Sequence, residues 1–267
     1  MKRLPALFLS HGSPMHALHP GEVGVAWKRF ADSIPRPKAI LIASAHWETD
    51  VPMLTGGEKP ETIHDFGGFP EALYGIRYAA PGAPELARRA RDLLKEQDQC
   101  SGIDGLRGLD HGAWTPLLHM YPDADVPVVE LSVQTALGAG PHLELGKKLA
   151  ALRDEGVLVI GSGHMTHNLR EGFAAMRRGD NHPPPLAYVA EFTQWVNERI
   201  AGKDPEALVD YRRQAPHAAR AHPSEEHFLP LFVAIGAAAG AGGNYKAEQI
   251  YQDTELQSLA MDAWAFH

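Results

Sequence analysis

The sequence predicts an α/β fold, a single domain with a central mixed, mainly parallel sheet flanked by helices. Two observations carry this. Short apolar runs that read as buried strands alternate along the chain with stretches of helical periodicity, the pattern of a sheet covered on both faces. No repeat, low-complexity tract or shift in composition marks a linker, so residues 1–267 are expected to form one unit.

Taken in order, Pro5–Leu9 (PALFL) reads as the first strand and Gly21–Ile34 as a helix. Lys38–Ser44 (KAILIAS) is a second buried strand. Pro84–Glu96 opens with proline at a helix start and places Leu86, Ala90, Leu93 and Leu94 on one face. Val126–Val133 and Gly156–Ile160 are two further strands, and between them His142–Arg153 is an amphipathic helix. The run Asn181–Pro185 closes a loop before a helix over Ala187–Ile200. Glu225–Ala239 is apolar almost throughout and reads as a buried helix, with Ser224 as its N-cap and Glu225 and Glu226 in its first turn. Tyr245–Gln252 and Ser258–Phe266 are expected to pair antiparallel at the end.

Composition excludes several classes of function. A formal charge of −8 offers no basic field to offset phosphate repulsion, which argues against nucleic acid as a partner. The single cysteine, Cys100, excludes an internal disulfide framework and any cysteine-built zinc or iron–sulfur site; it points to reducing surroundings, by default the cytoplasm. The N-terminal apolar run is too short for a secretory signal, and no stretch nears the roughly 20 apolar residues that span a bilayer. Zincin, P-loop, dinucleotide-turn and serine-elbow motifs are all absent.

Histidine is the oddity, with 15 copies against 25 lysines and arginines. In α/β sheets ligands gather beyond the carboxyl ends of strands. His11 follows PALFLS, His46 follows KAILIASA, and His164 and His167 follow GVLVIGSG. A lone core histidine needs only one hydrogen-bond partner, but three strands each delivering histidine at the same end suggest a shared task. His111, ahead of a short helix, and His227, opening an apolar helix and pointing inward, extend the set. Neutral imidazole suits zinc and ferrous iron, and three such ligands leave open positions for chemistry. His64-Asp65-Phe66-Gly67-Gly68-Phe69-Pro70 reads as a lid or pocket wall. His16, His19, His119, His142, His182, His217, His222 and His267 are read as ordinary structural or surface histidines.

Six motifs occur in order: Ser10-His11-Gly12-Ser13-Pro14, Ser44-Ala45-His46-Trp47, Thr62 to Pro70, Asp110-His111-Gly112, His167-Asn168-Leu169 and His227-Phe228-Leu229-Pro230. Together they resemble the DOPA 4,5-dioxygenase-type extradiol enzymes of the class III, LigB-like superfamily, from Pro5 to about Ala239. The resemblance implies an extradiol ring-cleaving dioxygenase that inserts dioxygen into a catecholic, DOPA-like substrate. It implies metal ligation by His11, His46 and His227, with His167 beside them as acid–base residue or fourth ligand and His111 assisting in proton transfer. Spacing alone does not divide ligand from base. Ferrous iron is the metal implied for the working enzyme; zinc, without redox chemistry, would fill the same histidines well.

Two departures stand out. Many class III enzymes complete their site with a glutamate where this chain offers His227, leaving Glu225 or Glu226 as alternative third ligands. His164 is an additional histidine, either supporting the site or merely on the surface. His64, Trp47, Phe66, Phe69 and Trp114 are the candidate substrate pocket, and no arginine pair marks a carboxylate clamp. A zinc-dependent hydrolase and a non-catalytic protein like the Memo relatives of this fold are the competing readings.

Overall fold

The computed structural model describes residues 3–95, 101–179 and 183–267. Cys100, His182 and the expected helix end at Glu96 lie outside the described residues. Ten strands are present among them: β1 (Ala6–Ser10), β2 (Ala39–Glu48), β3 (Met53–Thr55), β4 (Gly102–Asp104), β5 (Val128–Val133), β6 (Val157–Gly163), β7 (Ala247–Tyr251), β8 (Thr254–Glu255), β9 (Leu259–Ala260) and β10 (Ala263–Phe266). The longer helices around the sheet are α1 (Gly21–Ser33), α2 (Pro84–Lys95), α3 (His111–Met120), α4 (Ala139–Leu149), α5 (Leu169–Arg177), α6 (Ala187–Gly202) and α7 (Leu229–Ala239).

Eight strands form one mixed sheet in the order β4-β3-β5-β2-β6-β1-β10-β7, and β8 and β9 make a separate two-stranded ribbon. The central strands β5, β2, β6 and β1 run parallel. The pair β10 and β7 joins antiparallel at one side, as expected for the last two strands. Alternate residues face opposite layers. Phe8, Leu41, Val129 and Val159 pack under α2, α4, α6 and α7. Leu7, Leu9, Ile40, Ile42 and Ile160 pack under α1 and α3. Covering both faces is why these strands read as unbroken apolar runs.

Each helix follows from its apolar spacing. In α1, Val23, Trp27, Phe30 and Ala31 recur at one face and are buried. In α7 every residue is buried, because it lies between the sheet and α4. Gly146 and Gly236 let those two helices meet backbone to backbone. A Cβ on Gly236 would stand 2.2 Å from the Leu143 carbonyl oxygen. At the far end of α7, the buried guanidinium of Arg153 donates to the carbonyls of Ala237 and Ala238, and also to those of Leu4 and Phe266. A cation there complements the helix dipole while tying β1, β10 and α7 together.

Several boundaries differ from expectation. The helix expected over His142–Arg153 begins at Ala139, after Gly138 in a positive-φ conformation, and continues from Ala150 to Arg153 as a tighter turn. The helix expected from Glu225 begins at Leu229; Ser224 caps nothing and instead donates to Glu226. Pro230, which has no N–H to give, fits the first turn of that helix. Strand β2 continues through His46 to Glu48. The short strands β3 and β4 were not anticipated, since three residues carry too little pattern to read.

Asp262, buried between β9 and β10, accepts from Gln249 at 2.9 Å and Asn197 at 3.3 Å. Burial outweighs these hydrogen bonds and raises its carboxyl from 3.8 to about 6. Below pH 3.8 the group is protonated whether folded or unfolded, so folding is unpenalised. Between about pH 4 and 6 only the unfolded chain ionises, and stability falls as pH rises through that window. Denaturant titrations of Asp262→Asn should show a loss of this slope and a gain of about 3 kcal/mol at pH 7 over the parent chain.

Candidate metal centre

The carboxyl ends of three neighbouring parallel strands meet at one place. Register aligns Ser10 of β1 with Gly163 of β6, and Ser44 of β2 with Ser162 of β6. His11 follows directly from β1. His46 lies two residues beyond Ser44, where the pairing of β2 with β5 slips between Ala43 and Glu48 and frees the chain to turn the imidazole inward. His227 comes from the turn before α7, which closes against β6. A Cβ on Gly163 would stand 2.1 Å from the His227 carbonyl oxygen, so only glycine permits that approach.

The three imidazoles converge through Nε2. His46 Nε2 is 3.0 Å from His11 Nε2 and 3.3 Å from His227 Nε2. All three can serve as one ligand set, with ligand atoms mutually within 4.8 Å. Two of the Nδ1 atoms have hydrogen-bond partners that keep the proton there, and the third faces a carboxylate. His11 Nδ1 donates to Ser162 Oγ at 3.0 Å, while the single hydroxyl proton of Ser162 goes to the Gly112 carbonyl. His227 Nδ1 donates to Glu226 Oε1 at 3.0 Å, and His46 Nδ1 lies 3.4 Å from Asp65 Oδ2. The Nε2 lone pairs therefore all face the common centre.

Electrostatics hold the rings in the ligand form. Burial, followed by the repulsion of neighbouring imidazoles, keeps His11 and His227 well below the usual histidine range. The same causes bring His46 down to about 4. Three facing lone pairs about 3 Å apart repel one another unless a cation lies among them. Ligands about 2.1 Å from a metal and subtending roughly 90–110° stand about 3.0–3.4 Å apart, which matches these nitrogens. The residues fit a divalent metal.

His167 stacks on His227, with ring centres 3.5 Å apart and planes inclined by 12°, and burial lowers its basicity strongly. It groups with Glu226 and His227 as a second possible ligand set. His111 lies across the centre, its ring 4.0 Å from that of His46. Both its Nδ1 and its backbone N–H donate to Asp65, each at 2.9 Å. Burial alone would raise Asp65, but the bonds from His111 prevail and lower it to about 2. His164 is buried, not on the surface; its Nε2 accepts from the Gly12 N–H at 3.1 Å, steadying the loop that carries His11.

The remaining candidates divide. Phe66 reaches to 5.7 Å from His111 and packs edge-on against Phe69 and His64. His64 is held by the Ile76 carbonyl. Trp114 is wholly buried behind Phe66, donating to the Ile63 carbonyl, so it backs the wall and does not face a ligand. Trp47 is buried beneath the Arg107 guanidinium, which also pairs with Asp110. Glu225 is engaged away from the centre by Tyr211 and Arg212. Among the other histidines, His16 pairs with Glu255, His217 with Glu191 and His267 with Glu248. His119, His142 and His222 bond backbone groups, and His19 is exposed.

The roles of Ser162 and Asp65 were not read from the sequence. The available signal was a serine at the end of each of three apolar runs: Ser10, Ser44 and Ser162.

Residues 5–261 match the family model described as the catalytic LigB subunit of aromatic ring-opening dioxygenase. The chain belongs to the LigB family. Among its relatives, a 4,5-DOPA dioxygenase extradiol of Beta vulgaris is 42% identical across 97% of this chain and 95% of that protein. One from Escherichia coli K12 is 43% identical across 88% of this chain and 85% of the relative. A crystal structure of an uncharacterized Escherichia coli K12 protein superposes with a TM-score of 0.82 at 34% identity, covering 99% of this chain and 100% of that one. These matches favour ring-opening dioxygenation over the hydrolase and non-catalytic readings for this LigB-family chain. No helix among the described residues is long and apolar enough to cross a membrane.

Supporting hydrogen bonds of this kind contribute about 10- to 100-fold to metal affinity. Ser162→Ala, which leaves the His11 Nδ1–H without its acceptor, should weaken metal binding by about that factor in a chelator competition titration while leaving the far-ultraviolet circular dichroism unchanged.

Proposed function

We propose that this extradiol dioxygenase holds ferrous iron through His11, His46 and His227 and opens the ring of a catechol of the DOPA type, the substrate named for its relatives. The observation that carries the reading is the convergence of three neutral imidazoles, the Nε2 of half-buried His46 standing 3.0 and 3.3 Å from those of buried His11 and His227. When bound, ferrous iron supplies the electronic contact between a catecholate and dioxygen, which zinc lacks.

The chain's own residues do the rest. A catechol must lose protons as it binds, and His167, neutral at the edge of the centre, is placed to accept one. His111, with its Nδ1 proton held by Asp65, presents Nε2 as a second acceptor. The Asp65 carboxylate then stabilises the imidazolium until the proton is returned, as an orienting carboxylate does in other histidine dyads. Phe66 and Phe69 offer an apolar wall against which an aromatic ring can lie. The substrates are thus a catecholic small molecule and dioxygen.

The first test is anaerobic loading with Fe(II), then addition of DOPA and other catechols in air, following oxygen uptake together with a yellow ring-fission product. Uptake with colour, absent from the zinc-loaded protein, is expected; no uptake with any catechol despite full iron occupancy would refute the reading. Alanine variants of His11, His46 or His227 should lose bound metal on gel filtration. His167→Ala should keep its metal and lose turnover by about 10²- to 10⁴-fold. Metal lost only from His167→Ala would reverse the roles.

A further inference from the structure

Beyond the His167–Glu226 edge of the metal centre lies an open cavity of ≈ 750 Å³, large enough for a small ligand. Leu169 and Pro223 supply apolar wall, and three charged side chains, Arg170, Arg220 and Glu226, look onto it. Two of the three are already engaged. Arg220 donates to Glu171 at 2.9 Å and covers the Tyr188 ring at 4.2 Å. Glu226 accepts from Ser224 at 2.9 Å and from His227 at 3.0 Å. The nearby amide of Asn168 is occupied too, bonding the Glu171 N–H and the Arg220 carbonyl.

Arg170 is different. It is exposed and forms no hydrogen bond or ion pair with any described residue. Its position in the first turn of α5 is unfavourable for a cation, because the positive end of the helix dipole lies there. Neither local pairing nor helix stability accounts for it. A protein of formal charge −8 also repels an anionic ligand in general, so a cation at the approach to the centre has a distinct effect.

We propose that Arg170 anchors the carboxylate of the substrate's side chain, so that the preferred substrates are catechols bearing an acidic tail, whether or not an amino group accompanies it. The guanidinium fork takes a carboxylate with two parallel hydrogen bonds, holding the tail in the cavity while the ring lies beside His167 and the hydroxyls face His11, His46 and His227. Arg170 is a specificity residue on this view and touches no reacting atom. The inference rests on the catechol reading above.

The test compares DOPA, 3-(3,4-dihydroxyphenyl)propionate and 4-methylcatechol on the parent chain and on Arg170→Gln, a substitution at an exposed position. Calorimetric titration of the zinc-loaded protein reads binding without turnover, and oxygen uptake of the Fe(II)-loaded protein reads KM and kcat. Arg170→Gln should weaken binding of the two carboxylates by about 10- to 100-fold, raise their KM in parallel, and leave 4-methylcatechol and every kcat unchanged. Arg170→Lys should recover part of the loss. An equal loss for all three compounds, or none for the carboxylates, overturns the assignment while the catechol reading stands. If the parent chain binds and turns over none of the three, the catechol reading fails and takes this assignment with it.

Discussion

Three imidazole nitrogens with facing lone pairs, some 3 Å apart in a buried site, are the constraint around which the rest of this structure is arranged. Left to themselves the rings would repel, and burial denies them the protons that could relieve it. What holds them is a set of supports belonging to the fold: parallel register between β2, β6 and β1, acceptors at each Nδ1, and a backbone seam at Gly163 that admits the His227 turn. Each support comes from a different level of structure, and removal of any one would misplace a lone pair.

The same logic explains which parts could be read from sequence. Strands buried on both faces announce themselves as apolar runs, so the four central strands and the histidines at the carboxyl ends of three of them were legible. Helix starts were less so. Ser224 has the residue type of a cap, but the turn that positions His227 takes precedence, and the helix waits until Leu229. Trp47 and Trp114 look like pocket aromatics by type, yet one is shielded by Arg107 and the other fills the core behind Phe66. Burial of a large side chain is decided by layers that are far apart in sequence.

Polar groups that support the site were hardest to see. Ser162, Asp65 and Glu226 each support an imidazole from a position that no periodicity singles out. His164 shows the converse: a conspicuous residue whose ring accepts a backbone N–H and steadies a loop. Arg170 lies between the two cases, ordinary in sequence and notable only because its charged neighbours in the cavity are paired while it pairs with no described residue.

The three converging histidines are drawn from positions 11, 46 and 227, so this candidate ligand set does not exist on any partial chain. It appears only when β1, β2 and β6 have come into register and α7 has closed on them. The geometry that suits a metal is therefore a property of the assembled protein and not of a nascent one. Three neutral imidazoles rank divalent ions by the general affinity order, in which zinc stands above ferrous iron, and contain nothing that reverses it. On the ferrous reading proposed above, which ion arrives is then a matter of supply in the compartment where folding finishes, and the fraction of active molecules would record that compartment's metal balance.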